Sequence, residues 1–157
     1  MNASLLPNLL TGALALLLLY AAVIDTRTFT IANWLVVVVA LAAPLFWLAA
    51  GVPLWPDAGW RVAVAAAVFA GLALTFYFGV MGGGDVKLAA ALALWFSPLT
   101  TVKFLVLMSL AGGGLTLVIL IAHRLRSREG RPEIPYGVAI AFAGIWLVAQ
   151  RFLNHFA

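Results

Sequence analysis

The sequence predicts an all-α membrane protein with six transmembrane helices and both termini on the non-cytoplasmic side. Three observations lead there: the composition, the length of the apolar runs, and the positions of the basic residues. Hydrophobic residues make up 66% of the 157 residues and charged residues only 9%, and the mean hydropathy is +1.14. Soluble domains are about half apolar, so a soluble core cannot accommodate this composition.

Turn signals and polar residues divide the chain into apolar segments, several of which reach the roughly 20 residues that span a bilayer core of about 30 Å. The predicted segments are residues 5–24, 31–52, 60–80, 84–98, 102–122 and 136–153. The fourth is the shortest and can be a span or a re-entrant hairpin. No polar stretch is long enough for a soluble domain, so residues 1–157 are predicted to form one membrane-embedded domain.

The basic residues predict the orientation. If all six segments cross, the connector at 124–131 lies on the same side as Arg27 and Lys87. Three basic residues then lie toward the other side: Arg61, Lys103 and Arg151. The positive-inside rule makes the first side cytoplasmic. A cluster in one connector suits contact with anionic lipid headgroups, so membrane lipids are expected partners and nucleic acid is not.

Two of the five acidic residues stand out. Asp57, Glu129 and Glu133 lie in polar connectors, where a solvated role is sufficient. Asp25 and Asp85 each adjoin an apolar helix at its cytoplasmic end, where a partly desolvated carboxylate is costly to retain without a function. In the six-span arrangement both lie at the same depth, so we expect them to share a proton, one acting as base and the other as acid.

Such a pair suits peptide hydrolysis: the ionised carboxylate deprotonates a water, and the protonated one donates to the scissile carbonyl. No metal or other cofactor is required, and the chain has no cysteine and only two histidines. Two other interpretations stay open. The aspartates can relay protons in a small proton-coupled transporter, although transporter sites usually lie near the midplane. Alternatively, they only cap helices in a structural subunit.

Local motifs favour the peptidase. Gly82 and Gly84 precede Asp85 in a glycine run, where absent side chains allow another backbone, such as an extended substrate, to approach. The sequences DTRTFTIAN at 25–33, GGGDVKL at 82–88 and PYGVAI at 135–140 occur in this order. Together they resemble the prepilin peptidase family, also called type IV leader peptidases, which are GxGD aspartyl proteases. The resemblance covers nearly the whole chain and is strongest to the small Flp/Tad-pilus branch.

The resemblance implies that Asp25 and Asp85 are catalytic and that the enzyme cuts the basic leader from a prepilin at the cytoplasmic face of the bacterial inner membrane. Larger relatives insert a cysteine-bearing domain between the first two helices and methylate the product, and this chain has no room for that domain. Peptidase activity without methylation is therefore expected.

Three further residues are candidates for supporting roles. Lys87, about 200° around the helix from Asp85, is expected to face lipid phosphates rather than the carboxylate. Asn33 and Tyr136 can hydrogen-bond within the site, or act as a helix cap and an interfacial anchor respectively. Ala32 departs from the family, which usually has proline there.

Overall fold

The computed structural model describes residues 5–125 and 133–156, with side chains as far as residue 152. This part of the chain contains six α-helices: α1 (Leu5–Thr28), α2 (Asn33–Ala49), α3 (Gly59–Tyr77), α4 (Gly83–Ala93), α5 (Pro98–Leu125) and α6 (Tyr136–Phe156). The all-helical prediction is confirmed, and one helix corresponds to each predicted segment, although α1, α5 and α6 extend beyond the predicted bounds. Residues 126–131 of the basic connector lie outside the described residues, so the orientation drawn from its charge stays a prediction.

Three helical stretches are long and apolar enough to cross a membrane. They are α1, α5, and α3 extended by the short π-helical turn Leu54–Ala58 that precedes it. The apolar helices α2 and α6 are shorter. Large apolar side chains cover the outside of the bundle, for example Leu16 and Leu110, which are 73% and 70% exposed. Such a surface suits contact with lipid rather than water.

The fourth helix differs from the others in length and position. It has 11 residues, which at the α-helical rise is about 16 Å and well short of a bilayer core. It packs against α2, α3 and α6. Most of its residues are buried: Asp85, Val86, Leu88, Ala89, Ala91, Leu92 and Ala93. Its alanines allow the surrounding helices to approach closely, so α4 is the centre of the bundle.

Side chains of neighbouring helices satisfy the backbone at the end of α4. The last carbonyl groups of a helix have no partner within it, and in an apolar surrounding they need one. The indole of Trp47 donates to the carbonyl of Leu94 at 2.9 Å, and Arg61 Nη1 donates to that of Trp95 at 2.7 Å. Trp95 in turn donates to the carbonyl of Val39 at 2.9 Å. The end of α4 is thereby fixed beside α2 and the start of α3.

Candidate active site

The structure brings Asp25 and Asp85 together from separate helices. Asp25 lies near the end of α1 and is 2% exposed, and Asp85 lies in the first turn of α4 and is 8% exposed. Aspartates are rarely buried to this extent without a partner. The two side chains are close enough for the charge of Asp25 to act on Asp85. The chain therefore places two coupled carboxylates inside one end of the bundle.

The N-terminus of α6 faces Asp25. The backbone N–H groups of Gly137 and Val138 interact with its carboxylate, and the partial positive charge of a helix N-terminus favours a negative group there. A Cβ on Gly137 would lie 2.8 Å from Cγ and Oδ2 of Asp25. Only glycine permits this approach. Sequence analysis missed the role of Gly137, although the residue belongs to the PYG motif.

Asp85 folds back over the start of its own helix. It is the third residue of α4, after the N-cap residue Gly82, and it interacts with the backbone of Gly82. Its position is that of the acidic residue of a capping box, in which the side chain at the third position lies near the N-cap N–H. A Cβ on Gly82 would lie 2.8 Å from Oδ2 of Asp85. The glycine therefore makes room for the carboxylate that follows it.

Gly84 allows a backbone to approach, but that backbone belongs to this chain. A Cβ on Gly84 would lie 3.0 Å from the carbonyl oxygen of Ile31 and 3.1 Å from its Cβ. From the sequence, the backbone expected beside the glycine run was that of a substrate. Ile31 also reaches Gly137, where an added Cβ would lie 2.9 Å from its Cδ1. The buried Ile31 thus connects the loop after Asp25 with both α4 and α6.

Lys87 and Asn33 bind each other at the surface of the site. Lys87 Nζ donates to Asn33 Oδ1 at 3.0 Å. The capping role considered for Asn33 is wrong, because the N-cap of α2 is Ala32 and no side chain caps the helix. Asn33 lies one residue inside the helix, where its amide accepts from Lys87 instead. Ala32 has φ −66°, the angle that proline imposes, so the alanine keeps a backbone suited to the residue usual in the family.

Tyr136 supports the site through packing. A Cβ on Gly112 of α5 would lie 3.4 Å from the Tyr136 ring, so the ring rests on this glycine. The hydrogen bonds of the described residues link the backbone N–H of Tyr136 to the carbonyl of Ile134 at 2.9 Å and join its hydroxyl to neither aspartate. Tyr136 therefore fixes the start of α6 against α5, and with it the N–H groups that face Asp25.

One oxygen of each aspartate has no partner in the described part of the chain. Asp25 Oδ2 and Asp85 Oδ1 are buried and accept no hydrogen bond there. Buried polar atoms are nearly always satisfied by protein or water, so these two atoms mark the pair as a candidate site for a bound water or substrate group. No group of three or more histidine, cysteine, aspartate or glutamate side chains within the described ranges could hold a metal ion. The chemistry available from these residues is acid–base chemistry between two carboxylates.

Comparison with known proteins identifies the family. The profile of the type IV leader peptidase family matches residues 12–122, a stretch that includes both aspartates and the glycine run. No curated protein and no solved structure matches the chain. Since the family match covers well over half of the sequence, this multi-pass membrane protein belongs to the type IV leader peptidase family.

Proposed function

We propose that the protein is an aspartic endopeptidase that removes the short basic leader from type IV or Flp-like prepilins at the cytoplasmic face of a bacterial inner membrane. Its family makes it a protease of the leader peptidase kind. One observation supports the aspartic mechanism most directly: Asp25 and Asp85 are both buried, and the charge of Asp25 acts on Asp85.

The surroundings of the two carboxylates suggest separate roles. Two neighbouring buried carboxylates hold one proton between them more readily than two charges. Asp25 faces two backbone N–H groups of α6 and Asp85 only that of Gly82, so we assign the ionised form to Asp25, as the base that deprotonates the attacking water. Asp85 carries the shared proton and donates it to the scissile carbonyl oxygen. When the intermediate collapses, Asp25 protonates the leaving nitrogen and Asp85 recovers its proton.

The two unpartnered oxygens support this division. Asp25 Oδ2 is available to accept from the water, and Asp85 Oδ1 is available to meet the carbonyl. Both aspartates lie near helix ends rather than halfway along a span. A site at that depth suits a substrate cut where a polar leader meets a membrane helix, and it is less suited to a transporter, whose site usually lies near the midplane.

The short connection between α1 and α2 supports proteolysis without methylation. Only residues 29–32 separate the two helices, and the chain has no cysteine. The cysteine-bearing domain of larger, methylating relatives therefore has no counterpart there. We expect the mature pilin to leave the enzyme with an unmodified N-terminus, which the intact mass of the product measures.

The decisive experiment replaces each aspartate by its uncharged isostere. Asp25→Asn and Asp85→Asn keep the side-chain volume but cannot exchange the proton, and acid–base catalysis contributes about 10²–10⁴-fold. We expect each variant to lose at least about 10³-fold in cleavage of a co-reconstituted prepilin, measured by gel shift and product mass. Asp57→Asn changes an exposed aspartate and should cleave normally. Near-normal cleavage by either folded active-site variant would rule out the mechanism.

A further inference from the structure

A second site lies at the end of the bundle opposite the aspartates. A cavity of about 460 Å³ opens there among α1, α2, α3, α5, α6 and the turn after α4. Neither Asp25 nor Asp85 lines it. Along α6, Gly137 at the aspartates and Arg151 at the cavity are about four helical turns apart, or some 21 Å. The cavity is therefore separate from the proposed catalytic centre, and its volume is in the range of small-molecule sites.

The cavity is lined by positive charge. Three basic side chains line it: Arg61, Lys103 and Arg151. No acidic side chain is among its lining residues, and Asp57 acts on Arg61 from outside the cavity. Arg61 and Arg151 are close enough for their like charges to act on each other. Asp57 offsets the charge of Arg61 from outside the cavity. In contrast, the lining residues offer Lys103 and Arg151 no acidic neighbour, so an anion in the cavity would be attracted by their positive charges.

Both guanidinium groups are held in position by the protein. Arg61 Nη1 donates to the carbonyl of Trp95, and the guanidinium carbon of Arg151 lies 4.7 Å from the ring centroid of Phe46. An arginine has five N–H donors in a planar fork, so one backbone bond leaves Arg61 several donors for a ligand. These contacts orient the charges in advance, which lowers the cost of binding an anion.

The start of α5 adds to the same wall. Ser97 and Thr100 line the cavity, and their hydroxyl groups are hydrogen-bonded to each other at 2.9 Å. Lys103 follows one turn later on the same helix. The N-terminus of this 28-residue helix carries partial positive charge, which favours an anion as the arginines do. Full charges, hydroxyl groups and a helix end thus meet in one cavity.

Much of the remaining wall is apolar. Leu14, Phe46, Phe96, Leu147 and Val148 are among its residues, beside the polar Thr11 and Gln150. A free inorganic anion gains nothing from such a wall, whereas a molecule with a phosphate head and a hydrocarbon tail can use both parts. We propose that the cavity binds the phosphate group of an anionic membrane lipid, with the apolar wall contacting the start of its acyl chain.

The experiment uses the purified, delipidated full-length protein in a non-ionic detergent. Dihexanoyl phosphatidylglycerol is titrated while the midpoint of thermal unfolding is recorded. Dihexanoyl phosphatidylcholine and inorganic phosphate are titrated in parallel arms. The variants are Lys103→Gln and Arg151→Gln, whose side chains are both exposed. Arg27→Gln is the matched control, because it removes an exposed positive charge from the end of α1, away from the cavity and outside the basic connector.

We expect phosphatidylglycerol to raise the unfolding midpoint of the wild-type and Arg27→Gln proteins at the same concentrations. Each cavity variant should need at least about 10-fold more lipid, as expected for the loss of a charged hydrogen bond. If phosphatidylcholine raised the unfolding midpoint as much as phosphatidylglycerol, the cavity would not select an anion. If inorganic phosphate raised the midpoint as much as phosphatidylglycerol, the ligand would be free phosphate and not a lipid. Identical titrations of the cavity variants and the control would overturn the site.

Discussion

At the residue scale, the geometry of the proposed catalytic pair depends on a glycine placed where a carboxylate leaves no room for a Cβ. Gly137→Ala would put a methyl group 2.8 Å from Asp25 Cγ and 2.9 Å from Ile31 Cδ1. Either Asp25 or the start of α6 must then move, and a displacement of about 1 Å in an active site can cost about 100-fold in rate. We expect prepilin cleavage to fall by about that factor, measured at substrate saturation.

The matched control is Gly113→Ala in α5. A Cβ on Gly113 meets nothing within 4 Å, and alanine is the better helix former by about 1 kcal/mol. This variant should cleave at the wild-type rate and unfold at the same or a higher temperature. Full activity of Gly137→Ala, with the fold intact by circular dichroism, would show that the contact with Asp25 does not position the carboxylate.

At this scale, the sequence draws attention to residues that conflict with their surroundings. Asp25 and Asp85 could be singled out because a carboxylate beside an apolar helix is expensive. The contacts of Ile31 with Gly84 and Gly137 were not predictable, since they depend on how α4 and α6 approach the first loop. Of the two roles considered for Asn33, only the helix cap is wrong: asparagine is a common N-cap residue, but a partner on another helix determines its contact here.

At the element scale, the short α4 depends on donors from its neighbours. Trp47→Phe keeps the aromatic ring but removes the N–H that satisfies the Leu94 carbonyl. An unsatisfied buried acceptor costs about 1–3 kcal/mol, so we expect the free energy of unfolding in mixed micelles to fall by about that amount. Trp34→Phe on the same helix is the control, because Trp34 is exposed and donates no such bond. Equal destabilisation by both substitutions would contradict the role of the indole N–H.

The same helix shows why element ends are harder to predict than elements. Alternation of apolar and turn residues located all six helices. The fourth segment was predicted to run to residue 98, yet α4 ends at Ala93. No glycine or proline marks that end. Bonds from Trp47 and Arg61 stabilise the turn that follows, and Pro98 instead begins α5.

At the scale of the whole molecule, the buried aspartates and the cationic cavity lie at different ends of the bundle. The starts of α4 and α6 meet the end of α1 at the two aspartates, whereas three cations gather at the other end. Helix α4 contributes to both features. It carries Asp85 at its start, and because it ends early, at Ala93, the turn after it lines the cationic cavity. One short central helix therefore separates a candidate proteolytic site from a candidate lipid site.

The arrangement of α4 also predicts the topology. Asp85 lies at one end of this helix, and its other end is bonded to Trp47 near the end of α2 and Arg61 near the start of α3. Although α4 is short, the chain thus runs along it from the aspartate end of the bundle toward the opposite end. We therefore expect six crossings, which put the residue 125 end of α5 on the same side as Asp25.

Single cysteines can test this topology without background, because the chain has none of its own. We expect a membrane-impermeant maleimide to label Asp57→Cys in cells with a permeable outer membrane. Thr30→Cys, Phe78→Cys and Leu125→Cys should react only after the inner membrane is opened. If Leu125→Cys reacts in intact cells, α4 is re-entrant and the basic connector is translocated, against the positive-inside rule. If Thr30→Cys reacts there, the aspartates face the wrong side for a cytoplasmic leader.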